Sequence, residues 1–182
     1  MFLTGMNIDG NSPDGNDFDA LKRLIFGSFE CADAKPRLTG GTMKIYLASP
    51  FFSEEELAAV EDGEKILASR GFEVYSPRMH EAPCRKGTAE WSLKTFLLNK
   101  EAIDCADAVV VLYWGNFSDT GTAWECGYAF GAGIPSVVVH LGGDSNLMIH
   151  EGTRSNLLEG IDALREYDFE RLPGHRYEGK MY

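Results

Sequence analysis

Basic residues are scarce in this chain. Of its 182 residues, 17 are Lys or Arg against 28 Asp or Glu, a formal net charge of −11. Holding a nucleic-acid backbone depends on clustered cations, so this balance argues against a polynucleotide partner and favours small ligands. Cysteine is equally sparse. Cys31, Cys84, Cys105 and Cys126 stand far apart and form no C-x-x-C pair, which argues against a disulfide framework or zinc site and fits a reducing, cytoplasmic setting. No apolar run approaches the ~20 residues that span a bilayer, and no basic segment followed by an apolar stretch opens the chain. The chain is expected to be neither secreted nor membrane-embedded. Two phosphate-binding signatures are also missing: "YLASPFF" stands where a dinucleotide fold carries G-x-G-x-x-G, and there is no Walker-type lysine loop. No metal or organic cofactor is signalled.

What the chain does have is core material: 44% hydrophobic and 12% aromatic residues, enough for one ordinary domain. Residues 1–42 differ from the rest. "NIDGNSPDGNDFD" and "DAKPRLTGGT" are turn formers flanking one short amphipathic candidate helix, "FDALKRLIFGSF", so this segment is expected to be a partly disordered N-terminal extension. From Met43 the pattern alternates. "MKIYLAS", "FEVYSP", "DAVVVLYW" and "PSVVVHL" predict strands. "SEEELAAVEDGEKILASRG", "WSLKTFLLNKEAIDCA", "DTGTAWECGYAFGAG" and "EGTRSNLLEGIDAL" predict helices, the first with a Ser cap, an acidic first turn and a closing Gly. Strand and helix in turn predict an α/β fold, a flavodoxin- or Rossmann-like parallel sheet flanked by helices, in a single domain over 43–182. Ligands of such sheets sit beyond the C-terminal ends of the strands.

One carboxylate is out of place. Between Thr122 and Val139, Glu125 is the only charged side chain on an otherwise apolar, small-residue helix. With both on the helix, Asp119 and Glu125 would lie some 240° apart. If the helix starts near Thr120 to Thr122, Asp119 falls in the loop after the third strand, Glu125 in the opening turns, and both reach one cleft. Attraction to the helix dipole, about 0.3–1 kcal/mol, does not compensate for burying an acid. Either Glu125 keeps its head in solvent, or it has a chemical task. For Asp119, cap and functional group are not exclusive, with Ser118 and Thr120 as competing caps.

Several segments together carry a family resemblance. "KIYLASPFF", "DTGTAWECGYAFGAG", "NLM" and "YEGKMY", in this order over Met43 to Tyr182, resemble the nucleoside 2-deoxyribosyltransferases; the D-x-G-x-x-x-E-x-G-Y-A core is the specific part. The resemblance implies a two-step exchange without a cofactor, with deoxynucleosides and free nucleobases as partners. Glu125 would attack the anomeric carbon and form a deoxyribosyl ester, a role suited to an oxocarbenium-like centre. Trp124 and Tyr128 would shield it from water. Asp119 would contact the sugar hydroxyls and Tyr46 would steady the glutamate. Phe52 would line the base pocket. Asn146 and Met148 would enter a neighbouring subunit's site, and Tyr182 would close the site, so a homo-oligomer is implied, dimer-based and extending to a hexamer. Read without the resemblance, Tyr46 is a strand aromatic, Phe52 a packing residue, "SNLMIHEG" a surface turn and Tyr182 a frayed end.

One position departs from the pattern. Where the family carries an aspartate that assists the leaving base, this chain has Asn99. An amide donates a hydrogen bond but no proton; general-acid help of 10²–10⁴ in rate is roughly 3–5 kcal/mol of barrier. His80 and Glu81 are candidates to face the base. Two alternatives stand beside transfer: hydrolysis of deoxynucleoside 5'-monophosphates by the same glutamate, and a non-catalytic nucleotide-binding module. "ASPFFSEEE" offers a phosphate Ser49 and Ser53 but no cation, which weighs against the hydrolase.

Overall fold

The computed structural model describes residues 41–115, 119–153 and 156–182. The extension expected over 1–42, with its short helix, lies outside the described residues apart from Gly41 and Thr42, as does the cap candidate Ser118. Five strands form one sheet: β1 Lys44–Ala48, β2 Glu73–Tyr75, β3 Ala108–Tyr113, β4 Ser136–His140 and β5 Leu157–Glu159. Every pairing is parallel, in the order β2-β1-β3-β4-β5. β3 and β4 are buried along their whole length, which is why they read as unbroken apolar runs rather than alternating ones.

Among the described residues, four α-helices pack on the sheet: α1 Glu54–Ser69, α2 Ala89–Cys105, α3 Thr120–Gly131 and α4 Leu147–Gly152. α1 opens with a complete capping box, Ser53 accepting from the Glu56 amide and the Glu56 carboxylate accepting from the Ser53 amide. Alternate strand residues face opposite layers. Ile45, Leu47, Val110 and Leu112 pack with Val60 and Leu67 of α1, whereas Tyr46, Val109 and Val111 pack with Ile103 of α2 and Cys126 and Ala129 of α3. The strand order reverses between β1 and β3, and a crevice at the C-terminal ends of the strands opens at such a reversal.

The helix predicted over "EGTRSNLLEGIDAL" does not form. α4 ends at Gly152, Leu157–Glu159 pair with Val138–His140, and a 3-10 turn follows at Ile161–Arg165. Leu157, Leu158, Ile161 and Leu164 mimic helical spacing, but Leu157 enters one core layer and Leu158 the other, as only a strand permits. Gly160, at φ +77°, then takes the chain out of the sheet in a conformation that suits glycine.

Arg70, just past α1, ties the C-terminal part of the chain to this layer. Its guanidinium donates to the carbonyls of Leu164 at 2.6 Å and Tyr167 at 2.8 Å, and lies 5.0 Å from the Phe72 ring and 5.4 Å from that of Phe169. Arg70→Ala is expected to lower the unfolding free energy by about 2 kcal/mol, read from the urea midpoint. A change below about 0.5 kcal/mol, the scale of an ordinary surface substitution, would contradict this.

Candidate active site

Tyr46 is fully buried in the middle of β1. A phenol so placed needs a partner, and its Oη donates to Glu125 Oε1 at 2.5 Å, across 79 residues of sequence. Glu125 sits half-buried in the second turn of α3. Asp119 is the N-cap of that helix, its Oδ2 accepting from the Thr122 amide at 2.9 Å. The cap reading therefore holds. Asp119 also acts on the glutamate: burial raises the Glu125 carboxyl from about 4.5 to about 7, the Tyr46 hydrogen bond opposes the rise, and the Asp119 charge adds to it. Gly121 makes room for this arrangement, since a Cβ there would lie 2.7 Å from Asp119 Oδ2.

A second tyrosine extends the pair. Tyr75 lies opposite Tyr46 in the β1–β2 register, and the two rings stack 5.5 Å apart at 13°. Its Oη donates to Asn99 Oδ1 at 3.3 Å, which links β2 to the second half of α2. Burial, then the charge of Glu125, push the Tyr75 phenol up to about 12, so it remains a donor. The sequence reading missed Tyr75, whose place beside Tyr46 is set by the β1–β2 register. His80 stacks on Tyr75 at 4.1 Å and 13°, its Nδ1 donating to the Ser76 carbonyl at 3.0 Å; Glu81 is exposed. Tyr46, Tyr75, Asn99, Asp119 and Glu125 thus come together at the strand-order reversal.

The aromatics expected to screen Glu125 are engaged with α2. Trp124, 45% exposed, stacks on Tyr128 at 5.1 Å and 5°, with Phe96 5.3 Å away. Positions 124 and 128 share one helical stripe, about 100° and 60° from Glu125 on the same side, and these rings pack towards α2. Tyr128 Oη donates to Asp104 Oδ1 at 2.6 Å while Lys100 Nζ bonds Asp104 Oδ2 at 2.7 Å, fixing α3 against α2. Phe52 is 75% exposed, stacked on Phe51 in the loop after β1, at the same end of the sheet as Glu125.

Asn146, Met148 and Tyr182 form a separate unit. Asn146 caps α4 by accepting from the Met148 amide at 2.9 Å, and Met148 is 73% exposed. Tyr182 is docked rather than frayed: its amide donates to the Ser145 carbonyl at 3.0 Å, its carbonyl accepts from the Leu147 amide at 3.1 Å, and its Oη donates to Asp144 Oδ2 at 2.9 Å. Asn146 and Met148 border an apolar groove of about 750 Å³ with Thr120, Ala123, Gly127 and Phe130 of α3. Those four α3 positions lie roughly opposite Glu125 around the helix. The chain therefore does not bring Asn146, Met148 or Tyr182 to its own Glu125. Among the described residues, no group of three or more His, Cys, Asp or Glu is arranged to hold a metal ion.

Comparisons with known proteins fall on these same elements. A family model described as nucleoside 2-deoxyribosyltransferase matches residues 45–158, which include every residue above except Tyr182. Among solved structures, the chain is similar to a 2-deoxyribosyltransferase from the psychrotolerant bacterium Bacillus psychrosaccharolyticus, at 38% identity and a TM-score of 0.68, over 74% of this chain and 98% of that one. It shares its fold with a conserved protein from Enterococcus faecalis V583, at 24% identity and a TM-score of 0.60, over 69% and 96% of the two chains. No curated protein matches significantly.

The raised Glu125 carboxyl has a cost in stability. A group that titrates at about 7 when folded, against about 4.5 ordinarily, binds its proton more tightly in the native state. Stability is retained below pH 4.5 and lost as pH rises through 7. Glu125→Gln is therefore expected to stabilise the fold by about 2 kcal/mol at pH 8, after discounting for partial exposure, with the gain vanishing towards pH 4.5. Urea denaturation at the two pH values checks this; equal gains at both would contradict it.

Proposed function

The chain belongs to the nucleoside 2-deoxyribosyltransferase family, and from that premise we propose that it exchanges the 2-deoxyribosyl group between nucleobases through a covalent ester on Glu125. The observation that carries this reading is the Tyr46–Glu125 hydrogen bond at the strand-order reversal. Ionised Glu125 attacks C1' of the deoxynucleoside as the C1'–N bond breaks, with positive charge developing on the sugar. An acceptor base then attacks the same carbon and the carboxylate leaves, so two displacements retain the configuration. Tyr46 holds one carboxylate oxygen in place and favours the ionised form, while Asp119 orients the sugar hydroxyls and Phe52 borders the base.

Asn99 steadies the departing base. With its carbonyl held by Tyr75, its amide N–H groups are left to donate to an acceptor atom on the base. Because Asn99 delivers no proton, bases that depart readily as anions are the better leaving groups. Asn146, Met148 and Tyr182 act in a neighbouring subunit's site within a dimer-based oligomer, a reading supported by the exposure of Met148 and Tyr182, by the ties within this unit and by its place around α3 away from the chain's own glutamate. The expected setting is cytoplasmic nucleoside salvage.

Hydrolysis of monophosphates fits less well. The amides of Phe52 and Ser53, which an anion would seek at the start of α1, already donate to the Glu56 carboxylate, and Glu54 and Glu55 add negative charge there. Incubation with deoxyinosine or thymidine, with and without adenine, separates the readings by chromatography. New deoxyadenosine supports transfer, free base only from monophosphates supports hydrolysis, and no consumption supports a binding module. Glu125→Ala is expected to reduce exchange at least about 10³-fold; full activity would sink the nucleophile assignment.

Two further outcomes are expected. Wild-type kcat/KM falls as pH drops below about 7, the Glu125 value, and in Tyr46→Phe this acid limb moves upward because the opposing hydrogen bond is gone; a downward shift would contradict the assignment. Asn99→Asp supplies a proton donor and is expected to raise kcat by about 10² for poor leaving groups, with a new alkaline limb in the pH profile. An unchanged profile would remove Asn99 from the base site.

A further inference from the structure

The mechanism leaves two buried histidines unused. His140 ends β4, His150 lies in α4, and they are 6% and 3% exposed. Their rings are 5.5 Å apart, and both lie 4.6 Å from the Tyr177 ring, to which His150 is parallel within 4°. Tyr113 closes the group from below, 5.9 Å and 6.0 Å from the two imidazoles, and its Oη accepts from the Asn146 amide at 3.2 Å. Among the described residues, Nε2 of His140 and both ring nitrogens of His150 have no hydrogen-bond partner.

Tyr177 belongs to the tail that carries Tyr182. Its Oη donates to the Gly143 carbonyl at 3.1 Å, and the Ser145 amide donates to the Lys180 carbonyl at 3.0 Å. Most of this tail is exposed. Its hold on the α4 turn therefore depends on a few backbone hydrogen bonds, on the exposed side-chain ties of Tyr177, Lys180 and Tyr182 to Gly143 and Asp144, and on the contact of Tyr177 with the histidines.

We propose that His140 and His150 are positioning residues that, only while neutral, clamp Tyr177 and thereby hold Asn146, Met148 and Tyr182 in the arrangement that completes a neighbouring site. The last clause rests on the transferase reading; the clamp itself does not. An imidazolium gains some attraction over a phenol face, but His150 would then hold two buried N–H donors without acceptors, beside a second imidazole. The chargeable groups around the pair are few. Tyr113 faces it from β3 and Tyr177 from the tail, Cys126 of α3 acts only on Tyr113, and the Glu159 carboxylate of β5 favours protonation of His140 but supplies nothing to His150. Burial, then His140, lower His150 from about 6.5 to about 4. The sign follows: the docked tail is fully stabilised above pH 6.5 and progressively released as pH falls towards 4. At pH 5 these two values set an upper limit of about thirtyfold on the loss in the docking equilibrium, since His140 stays beside His150 when the tail leaves.

The test is amide hydrogen exchange on the full chain between pH 7.5 and 5, corrected for intrinsic rates, followed at Ser145, Leu147 and Tyr182. Protection is expected to fall severalfold, by up to about thirtyfold, in the wild type and to stay flat in His150→Phe, which keeps a ring but cannot charge. Constant wild-type protection, or the same fall in His150→Phe, would overturn the clamp. Should that variant not fold, His140→Phe is expected to weaken the pH dependence, and an unaltered dependence would overturn it. Alongside, the KM for the deoxynucleoside is expected to rise in acid for the wild type and not for His150→Phe, with kcat following Glu125 in both. A KM that stays constant while protection falls would overturn the site-completing role. If no deoxyribosyl exchange is detected, the transferase reading fails while hydrogen exchange still decides the clamp.

Discussion

A phenol with no exposure, in the central part of a buried strand, must find a hydrogen-bond partner inside the protein, and Tyr46 finds it in Glu125. That one contact joins β1 to α3 across the sheet's order reversal, and much of the architecture serves to make it possible. The Asp119 cap starts α3 at the right residue, the Lys100–Asp104–Tyr128 link holds α3 to α2, and Tyr75 supports the Tyr46 ring from the next strand. The carboxylate is consequently confined by burial and by a nearby like charge, yet steadied by a donor. Such a group is costly to keep ionised and correspondingly reactive once it is.

The sheet and the first three helices could be read from the chain because their signals agree. Unbroken apolar runs, a Ser–Glu capping box and an acid-poor helix after β3 all point to layers around a parallel sheet. Asp119 and Glu125 could be placed as a pair because the six-residue spacing makes sense only if the helix begins between them. Where the reading failed, a local pattern had two physical solutions. Leu157 and Leu158 satisfy helical spacing with Ile161 and Leu164, but the open edge of β4 rewards a strand that buries one leucine in each layer. Trp124 and Tyr128 share a stripe beside the glutamate's, because four residues of helix return nearly to the same face, and that stripe is taken up by α2. Tyr75 and the histidine pair were not legible for another reason: their significance is a matter of contact, and contact across strands depends on register.

The candidate site residues divide into two sets. Tyr46, Tyr75, Asn99, Asp119 and Glu125 are held by the core, whereas Asn146, Met148 and Tyr182 are held by a turn, a short helix and a tail that bond mainly to one another. α3 stands between the sets, presenting Glu125 on one side and the small residues Ala123 and Gly127 on the other. The first set has the fixity that bond-making chemistry demands. The second rests on few contacts and belongs to the least stable part of the fold.

The sheet is also closed off at its margins. β2 and β5 are only three residues long, Gly160 turns the chain away immediately after β5, and the Asn156–His175 bridge brings the tail alongside the start of that strand. Short, interrupted margins are poor templates for adding another strand. The described strands therefore offer copies of this chain little means of fusing into a continuous sheet, and contacts made across these margins fall to side chains rather than to the β-ladder.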